Sequence, residues 1–423
     1  MTTVYVFIIM FALLAVGVPI AWAIGTSAVV CMLTFSSADI SLFVTSSISS
    51  LDSFPLMAIP FFILAGKLME KGGISERLID LANLIVAKLV GGLALVSILA
   101  CTAFGAISGS SIATSVAIGG IMLPGMKKAG YSEEFSAAVI CISGTIGALI
   151  PPSMTFIIFG SLTMVSISDL FLAGILPGLL LAFCLAVTAY IISRKRGYKG
   201  AEEVDRSAKN VRRILKRSIS AILVPVIILG GIYSGKFTPT EAGTVACLYA
   251  IILTVFVYKS LNLKALFKVF SESAKYCIIT MIVVAFASGL ARFFAIEQLP
   301  QQISNYVVSI SSNKYVFLLI VNILLLIIGC IMDTTAAMIV LAPILMPIVI
   351  NYGINPIHFG IIMSFNLLLG LCTPPVGSNL FVVSSMTKKP IHVLAKAMLP
   401  FFVAAFIALF LVTYIPIISI IWF

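Results

Sequence analysis

Two short polar stretches interrupt an otherwise apolar chain, and each is followed by a double proline. Ser108-Gly109-Ser110-Ser111, with Thr114 a turn further on, precedes Gly144-Thr145, Gly147 and Pro151-Pro152-Ser153. Gly329, Met332-Asp333-Thr334-Thr335 precedes Gly370, Cys372-Thr373-Pro374-Pro375 and Gly377-Ser378. An interior proline removes a backbone hydrogen bond and clashes with the preceding turn, at a cost of ~3 kcal/mol. Two in succession, four residues after a glycine, should unwind a helix. A helix that ends in mid-membrane offers carbonyl oxygens and partial negative charge, and one that starts there offers N–H groups and partial positive charge. Carbonyls and hydroxyls can replace the hydration shell of Na⁺, while helix N-termini attract an anion. Ser108, Gly109, Ser110, Ser111, Thr114, Gly144, Thr145, Gly147 and Pro151 are therefore candidates for one cation site. Gly329, Met332, Asp333, Thr334, Thr335, Gly370, Cys372, Thr373, Pro374 and Gly377 are candidates for a second. Ser110, Pro152, Ser153 and Ser378 are placed to meet the anion. The alternative role for such residues is hydrogen bonding and close packing between helices.

Asp333 is the one carboxylate expected at depth, where an ionisable group costs at least ~2.5–3.5 kcal/mol and points to function; its other reading is a cap on the following helix. Arg292, a basic residue on the outer half of a span, is either an anion or docking contact or a residue snorkelling to the interface. Hydrolysis is a poor fit. Ser108 would need a base, and the two histidines, His358 and His392, fall near span ends. No GxxxxGK[ST] phosphate cradle occurs, which excludes an ATP-driven pump. The eight cysteines lie in apolar segments without metal spacing, so they read as small buried residues, and no transition metal or organic cofactor is expected.

The elements that position these residues belong in a bilayer. The 423 residues are 61% hydrophobic and only 10% charged, against about 25% charged in a soluble domain. Disorder, nucleic-acid binding and a disulfide-stapled secreted fold are excluded. Ten spans are expected, near 3–24, 26–46, 54–71, 132–162, 168–193, 217–235, 240–259, 272–297, 356–386 and 392–421. The stretches 92–127 and 314–350 break in the middle into arms of about 16 residues, ~24 Å each, short for a crossing. We expect both to be re-entrant helical hairpins, each preceded by an interfacial amphipathic piece, 75–90 or 299–312. With the basic loop 194–217 on the inner side, 23 of the 26 Lys and Arg fall inside, and only Lys236, Arg292 and Lys314 fall outside. Both termini then lie outside. Net charge +11 thus reflects inner anchors rather than an acidic partner.

The halves repeat at an offset of 223 residues: Gly66 with Gly289, Ser111 with Thr334, Pro124 with Pro347, and Gly147-Ala-Leu-Ile-Pro-Pro152 with Gly370-Leu-Cys-Thr-Pro-Pro375. Five spans separate equivalent helices, so the copies insert upside down. The expected fold is an all-α integral membrane protein, an inverted repeat of two five-span halves. Each half carries a re-entrant hairpin and a discontinuous helix: 1–193, the cytoplasmic linker 194–217, and 218–423. Inverted repeats with broken helices are a mark of secondary transporters.

Ser53-Phe-Pro-Leu-Met-Ala-Ile-Pro-Phe-Phe-Ile-Leu-Ala-Gly66, Gly105-Ala-Ile-Ser-Gly-Ser-Ser-Ile-Ala-Thr114, Gly147-Ala-Leu-Ile-Pro-Pro-Ser153, Met332-Asp-Thr-Thr335 and Gly370-Leu-Cys-Thr-Pro-Pro-Val-Gly377 resemble the large membrane subunit of TRAP (tripartite ATP-independent periplasmic) transporters. The resemblance implies an elevator-type, Na⁺-coupled importer of organic acids such as C4-dicarboxylates or sialic acid, in a bacterial inner membrane. It implies a periplasmic substrate-binding protein and a small four-helix membrane subunit as partners. That subunit is expected as a separate chain, because the sequence starts at the first span. The family's two sodium sites carry over to the two clusters named above. A stand-alone Na⁺/carboxylate symporter of the same architecture is the alternative, and an intramembrane hydrolase a remote one.

Overall fold

The computed structural model describes residues 2–36, 39–200, 207–310, 313–375 and 377–423, and the described residues form helices without strands. Apolar runs of this length satisfy their backbone groups internally by coiling into helices. Thr2–Ala15, Ile20–Phe35 and the bent pair Ile40–Leu51 with Phe54–Lys71 come first. The amphipathic Ile74–Val86 leads into the first hairpin, Gly92–Ser108 and Ser111–Lys128. A broken helix, Glu133–Leu149 and Met154–Thr163, and the 30-residue Ile167–Arg196 complete this series. After the basic link, Ala208–Tyr233, Pro239–Val257 and the 34-residue Leu263–Ile296 run through the same order. Leu299–Ile310, the hairpin Lys314–Ile331 and Thr334–Asn351, a broken helix Pro356–Gly370 and Ser378–Thr387, and Ile391–Tyr414 follow.

Five expected spans shift, two of them because Ala208–Tyr233 and Leu263–Ile296 each begin nine residues before the expected 217 and 272. The one expected at 3–24 stops at Ala15, because Gly17 takes a left-handed φ of +88° and Pro19 has no amide to donate. The one expected at 26–46 is two helices, with Asp39 capping the second by accepting from the Ser41 amide at 2.9 Å. The last, expected to reach 421, ends at Tyr414 before Pro416. Each hairpin arm runs 17 or 18 residues rather than 16, ~27 Å at most. Among the described residues seven helices are individually long and apolar enough to cross a membrane, nine if each bent pair is one span.

Packing gathers the helices into two groups that also meet directly, Leu263–Ile296 on Thr334–Asn351 and Ala58–Lys71 on Gly92–Ser108. Leu263–Ile296 lies against Ile20–Phe35 and the bent pair, while Pro239–Ile251 lies against Ala58–Lys71. The hairpins and broken helices pack on one another in a crossed pattern. The N-terminal half of each broken helix contacts its own hairpin. The C-terminal half contacts the second arm of the other hairpin: Met154–Thr163 on Thr334–Asn351, and Ser378–Thr387 on Ser111–Lys128. Ile74–Val86 touches both groups, through Ala208–Tyr233 and through Gly92–Ser108.

Candidate functional site: two hairpin tips on two helix breaks

The first tip turns at Gly109, whose φ of +60° suits glycine. Ser110 then caps the second arm, its hydroxyl accepting from the Ala113 amide at 3.4 Å. Thr114 Oγ1 donates to the Ser110 carbonyl at 2.8 Å and lies 2.9 Å from Ser108 Oγ, so two hydroxyls and a backbone carbonyl of the tip hold one another. The tip seats directly on the break. The Gly109 carbonyl accepts from the Met154 amide at 3.4 Å, and a Cβ on Gly109 would lie 2.5 Å from the Pro152 carbonyl oxygen. Behind the tip Gly105 and Gly147 meet backbone to backbone, and a side chain on Gly147 would collide with Thr114 Oγ1.

The break bends the helix by 41°. Pro151 and Pro152 donate no hydrogen bonds, so the carbonyls of Gly147 and Ala148 lose their helical partners. Ser153 Oγ replaces one, donating to the Ala148 oxygen at 2.5 Å, and lies 2.7 Å from Thr155 Oγ1.

The second tip repeats this with different residues. Met332 is extended and Asp333 caps the second arm, Oδ2 accepting from the Thr335 amide at 3.0 Å. The Gly377 amide donates to the Cys330 carbonyl at 3.4 Å. Met154 and Gly377 are 223 residues apart, so the same backbone donor clamps each tip to each break. Gly329 and Gly370 meet backbone to backbone, as Gly105 and Gly147 do. Thr373 Oγ1 returns to the Leu369 carbonyl at 2.9 Å beside Pro374-Pro375. Ser111 Oγ and Thr334 Oγ1, equivalent in the repeat, are buried without a hydrogen-bond partner.

The tips converge. A cavity of about 40 Å³ is lined by Ser110, Ser111, Thr155, Tyr276, Asp333 and Thr335. A neighbouring one of about 210 Å³ shares Ser110, Met154 and Tyr276 and reaches Gly66, Lys67 and Glu70. Lys67 Nζ stands 5.9 Å from the Tyr276 ring. The wall is largely apolar; among its polar side chains hydroxyls outnumber charges, with Asp333 in the smaller cavity and Lys67 and Glu70 in the larger.

Several candidates fall elsewhere. Thr145 Oγ1 donates to Ile142 O at 2.6 Å within its own helix, and Ser153 is engaged by Ala148, so neither hydroxyl faces the cavity free. Pro152, Ser378 and Cys372 do not line either cavity; Cys372 Sγ donates to the Cys141 carbonyl at 3.3 Å. Arg292 is exposed near the end of Leu263–Ile296 and lines neither cavity, which is compatible with a docking contact or with snorkelling. His358 is occupied by Ser419 Oγ at 2.6 Å and the Thr413 carbonyl at 3.3 Å. Tyr276, Lys67 and the Met154 amide were not legible as site residues, since a lone Tyr or Lys near a span end carries no local signal. Asn379 did carry one, an amide side chain in an apolar helix.

Away from the tips Lys389 pairs with Glu134 at 3.0 Å and Glu133 at 3.3 Å, and Lys127 pairs with Glu133 at 2.5 Å. The Glu134 and Glu133 carboxylates hold the Lys389 ammonium above its usual range. This network joins the first hairpin, the first broken helix and the turn after the second. Its members are part-exposed, so solvent screens the pairs and they add little to stability. Lys389→Ala should lower the melting temperature by a few degrees at most, read by thermal unfolding in detergent.

Two helical groups joined through hairpin tips seated on broken helices define a membrane transporter fold. Solved structures agree on the fold: the Alcanivorax borkumensis YdaH transporter aligns with a TM-score of 0.65 over 92% of this chain and 91% of that one at 14% identity. Neisseria gonorrhoeae MtrF aligns at 0.56 over 87% and 82%, at 15% identity. Within that class the chain belongs to the family described as "Tripartite ATP-independent periplasmic transporter, DctM component", whose profile matches residues 7–418. The C4-dicarboxylate TRAP transporter large permease protein DctM of Pseudomonas aeruginosa is 42% identical over 94% of this chain and 92% of its own length. The sialic acid TRAP transporter large permease protein SiaM of Vibrio cholerae is 37% identical over 96% and 94%. The isethionate TRAP transporter permease protein DctMQ of Oleidesulfovibrio alaskensis is 42% identical over 95% of this chain, which spans 63% of that relative.

Proposed function

We propose that this chain is the large permease of a Na⁺-coupled TRAP importer of an organic acid in a bacterial inner membrane. A periplasmic binding protein delivers the acid, and a small membrane subunit, as a separate chain, braces the helices that do not move. Both termini lie on the periplasmic side, and the two halves, 1–193 and 218–423, are inverted copies. The hairpins and broken helices form the mobile unit of an elevator; 2–71 and 208–296 form its scaffold. Na⁺ binds at each tip, and the acid binds where the tips converge. Relatives named for C4-dicarboxylate, sialic acid and isethionate support an anionic substrate.

The observation that carries this reading is the pair of tips clamped to proline breaks by equivalent amides, Met154 to Gly109 and Gly377 to Cys330, around one shared cavity. Loaded units cross more cheaply than bare charges, because the acid and its cations neutralise one another. The test is uptake into vesicles holding both membrane subunits, with binding protein loaded with labelled succinate, sialic acid or isethionate. Uptake should follow an inward Na⁺ gradient and vanish without the binding protein. Uptake driven by protons and indifferent to Na⁺ defeats the coupling, and uptake by this chain alone favours a stand-alone symporter.

A further inference from the structure

The larger cavity, about 210 Å³, has walls from both helical groups. Ser108, Ser110 and Met154 belong to the first hairpin and its broken helix, whereas Lys67 and Glu70 belong to Ala58–Lys71 and Tyr276 to Leu263–Ile296. From the tip it follows Ile112, Ala113 and Val116 along the arm that ends at Lys127-Lys128. On the facing side it follows Gly66, Lys67 and Glu70 along the helix that ends at Lys71. Both charged ends are inner ends in the proposed orientation, so the cavity runs from the tip toward the inner side.

A lysine set into an apolar wall points to function, through the partner it serves. Lys67 is half-buried and has no acidic partner among the described residues. Glu70, a turn further on and lining the same cavity, pairs with Lys71 at 3.7 Å instead. The Tyr276 ring centroid lies 5.9 Å from Lys67 Nζ, at the ~6 Å edge of a cation–π contact. The N–H donors of Lys67 are thus left for a ligand. On the hairpin side Ser110 Oγ accepts from the Ala113 amide and keeps its own proton to donate. A carboxylate or sulfonate accepts from a hydroxyl and from an ammonium at once, so it is the group that both walls can serve.

We infer that Lys67 is a fixed handle for the anionic group of the transported acid, met only in this inward position of the mobile unit. The inference rests on the elevator reading above and adds the residue that sets affinity on the inner side. Ser110 travels with the acid, whereas Lys67 stays with the scaffold helices. Its attraction therefore acts on one state alone, and a contact made in one state shifts the balance toward that state.

The experiment uses vesicles holding both membrane subunits, loaded inside with unlabelled succinate, sialic acid or isethionate, and binding protein outside carrying the same acid labelled. Internal acid occupies the inward site and inhibits uptake. Lys67→Gln should raise the half-inhibiting internal concentration about tenfold, the worth of one charge-assisted hydrogen bond. The half-saturating concentration of loaded binding protein is set on the other side and should move far less. Lys67→Arg keeps the charge and should recover most of the internal response. Glu70→Gln tests the field without touching Lys67: removing the opposing charge should lower the half-inhibiting concentration, and a rise overturns the assignment. Equal internal inhibition of wild type and Lys67→Gln also overturns the handle, and leaves Na⁺-coupled import standing. Loss of the response in Lys67→Arg as well as Lys67→Gln, with both melting earlier than wild type, makes Lys67 a packing residue. No uptake of any of the three acids by wild type strikes the proposed function itself, and the handle falls with it.

Discussion

A single methyl at Gly370 should reduce uptake by the reconstituted complex on the order of 100-fold. The Cβ of Gly370→Ala would sit 2.5 Å from both Cα and carbonyl carbon of Gly329 and 2.8 Å from its oxygen. All three are backbone atoms of a helix, so no rotamer relieves the contact. Overpacking of this kind costs ~1–3 kcal/mol, and the break must slide off the tip to accommodate it. A displacement of ~1 Å at a positioning contact is enough for ~10²-fold. Gly105→Ala should be equally damaging, because its Cβ collides with the Gly147 backbone. Gly329→Ala should be milder, with Gly370 Cα at 3.1 Å. Gly120→Ala, in the first hairpin with Gly105 but with nothing within 4 Å, should be neutral or gain up to ~1 kcal/mol of helix stability. Uptake and thermal unfolding of the four variants test the order. Equal activity of Gly370→Ala and Gly120→Ala would show that the tip need not be seated for transport.

The tips and breaks were legible because their causes are local. Pro151-Pro152 and Pro374-Pro375 remove donors whatever they pack against, and Ser110 and Asp333 are strong caps by residue type. Hairpin and broken-helix limits accordingly agree with the sequence reading to within a residue or so. The same logic applied to Gly17-Val18-Pro19, Asp39 and Pro416 would have placed three of the shifted boundaries; hydropathy had masked them. Partner choice was not legible. That the Asn379 side chain reaches Cys141, 238 residues away, follows from crossed packing of the two halves, which no local pattern encodes. Lys67 and Tyr276 enter the cavity wall for the same reason: helices distant in sequence bring them there. Arg292 drew attention by charge type, and packing leaves it exposed outside the two cavities.

Replacing Asp333 by asparagine should raise the Na⁺ concentration for half-maximal uptake at least tenfold while leaving the protein folded. Asp333 does two separable things. It caps Thr334–Asn351 through the Thr335 amide, and it supplies the carboxylate at the converging tips. Asparagine caps about as well as aspartate, whereas alanine gives up ~1 kcal/mol. Asp333→Asn therefore isolates the charge, and Asp333→Ala removes charge and cap together. The repeat supplies the comparison: Ser110, at the equivalent position, caps the first hairpin with a neutral hydroxyl. A carboxylate within ~4–6 Å of a cation attracts it where a hydroxyl offers only a dipole, so a second site at Asp333, although that residue is exposed, should hold its cation more tightly than a first at Ser110. In Asp333→Asn the two sites become alike, and the Na⁺ dependence should weaken and lose its tighter component. Ser110→Asn should leave that component intact. Normal Na⁺ dependence in Asp333→Asn, with a defect confined to Asp333→Ala, would reduce this carboxylate to a cap and shift the cation to the hydroxyls and carbonyls around Thr334.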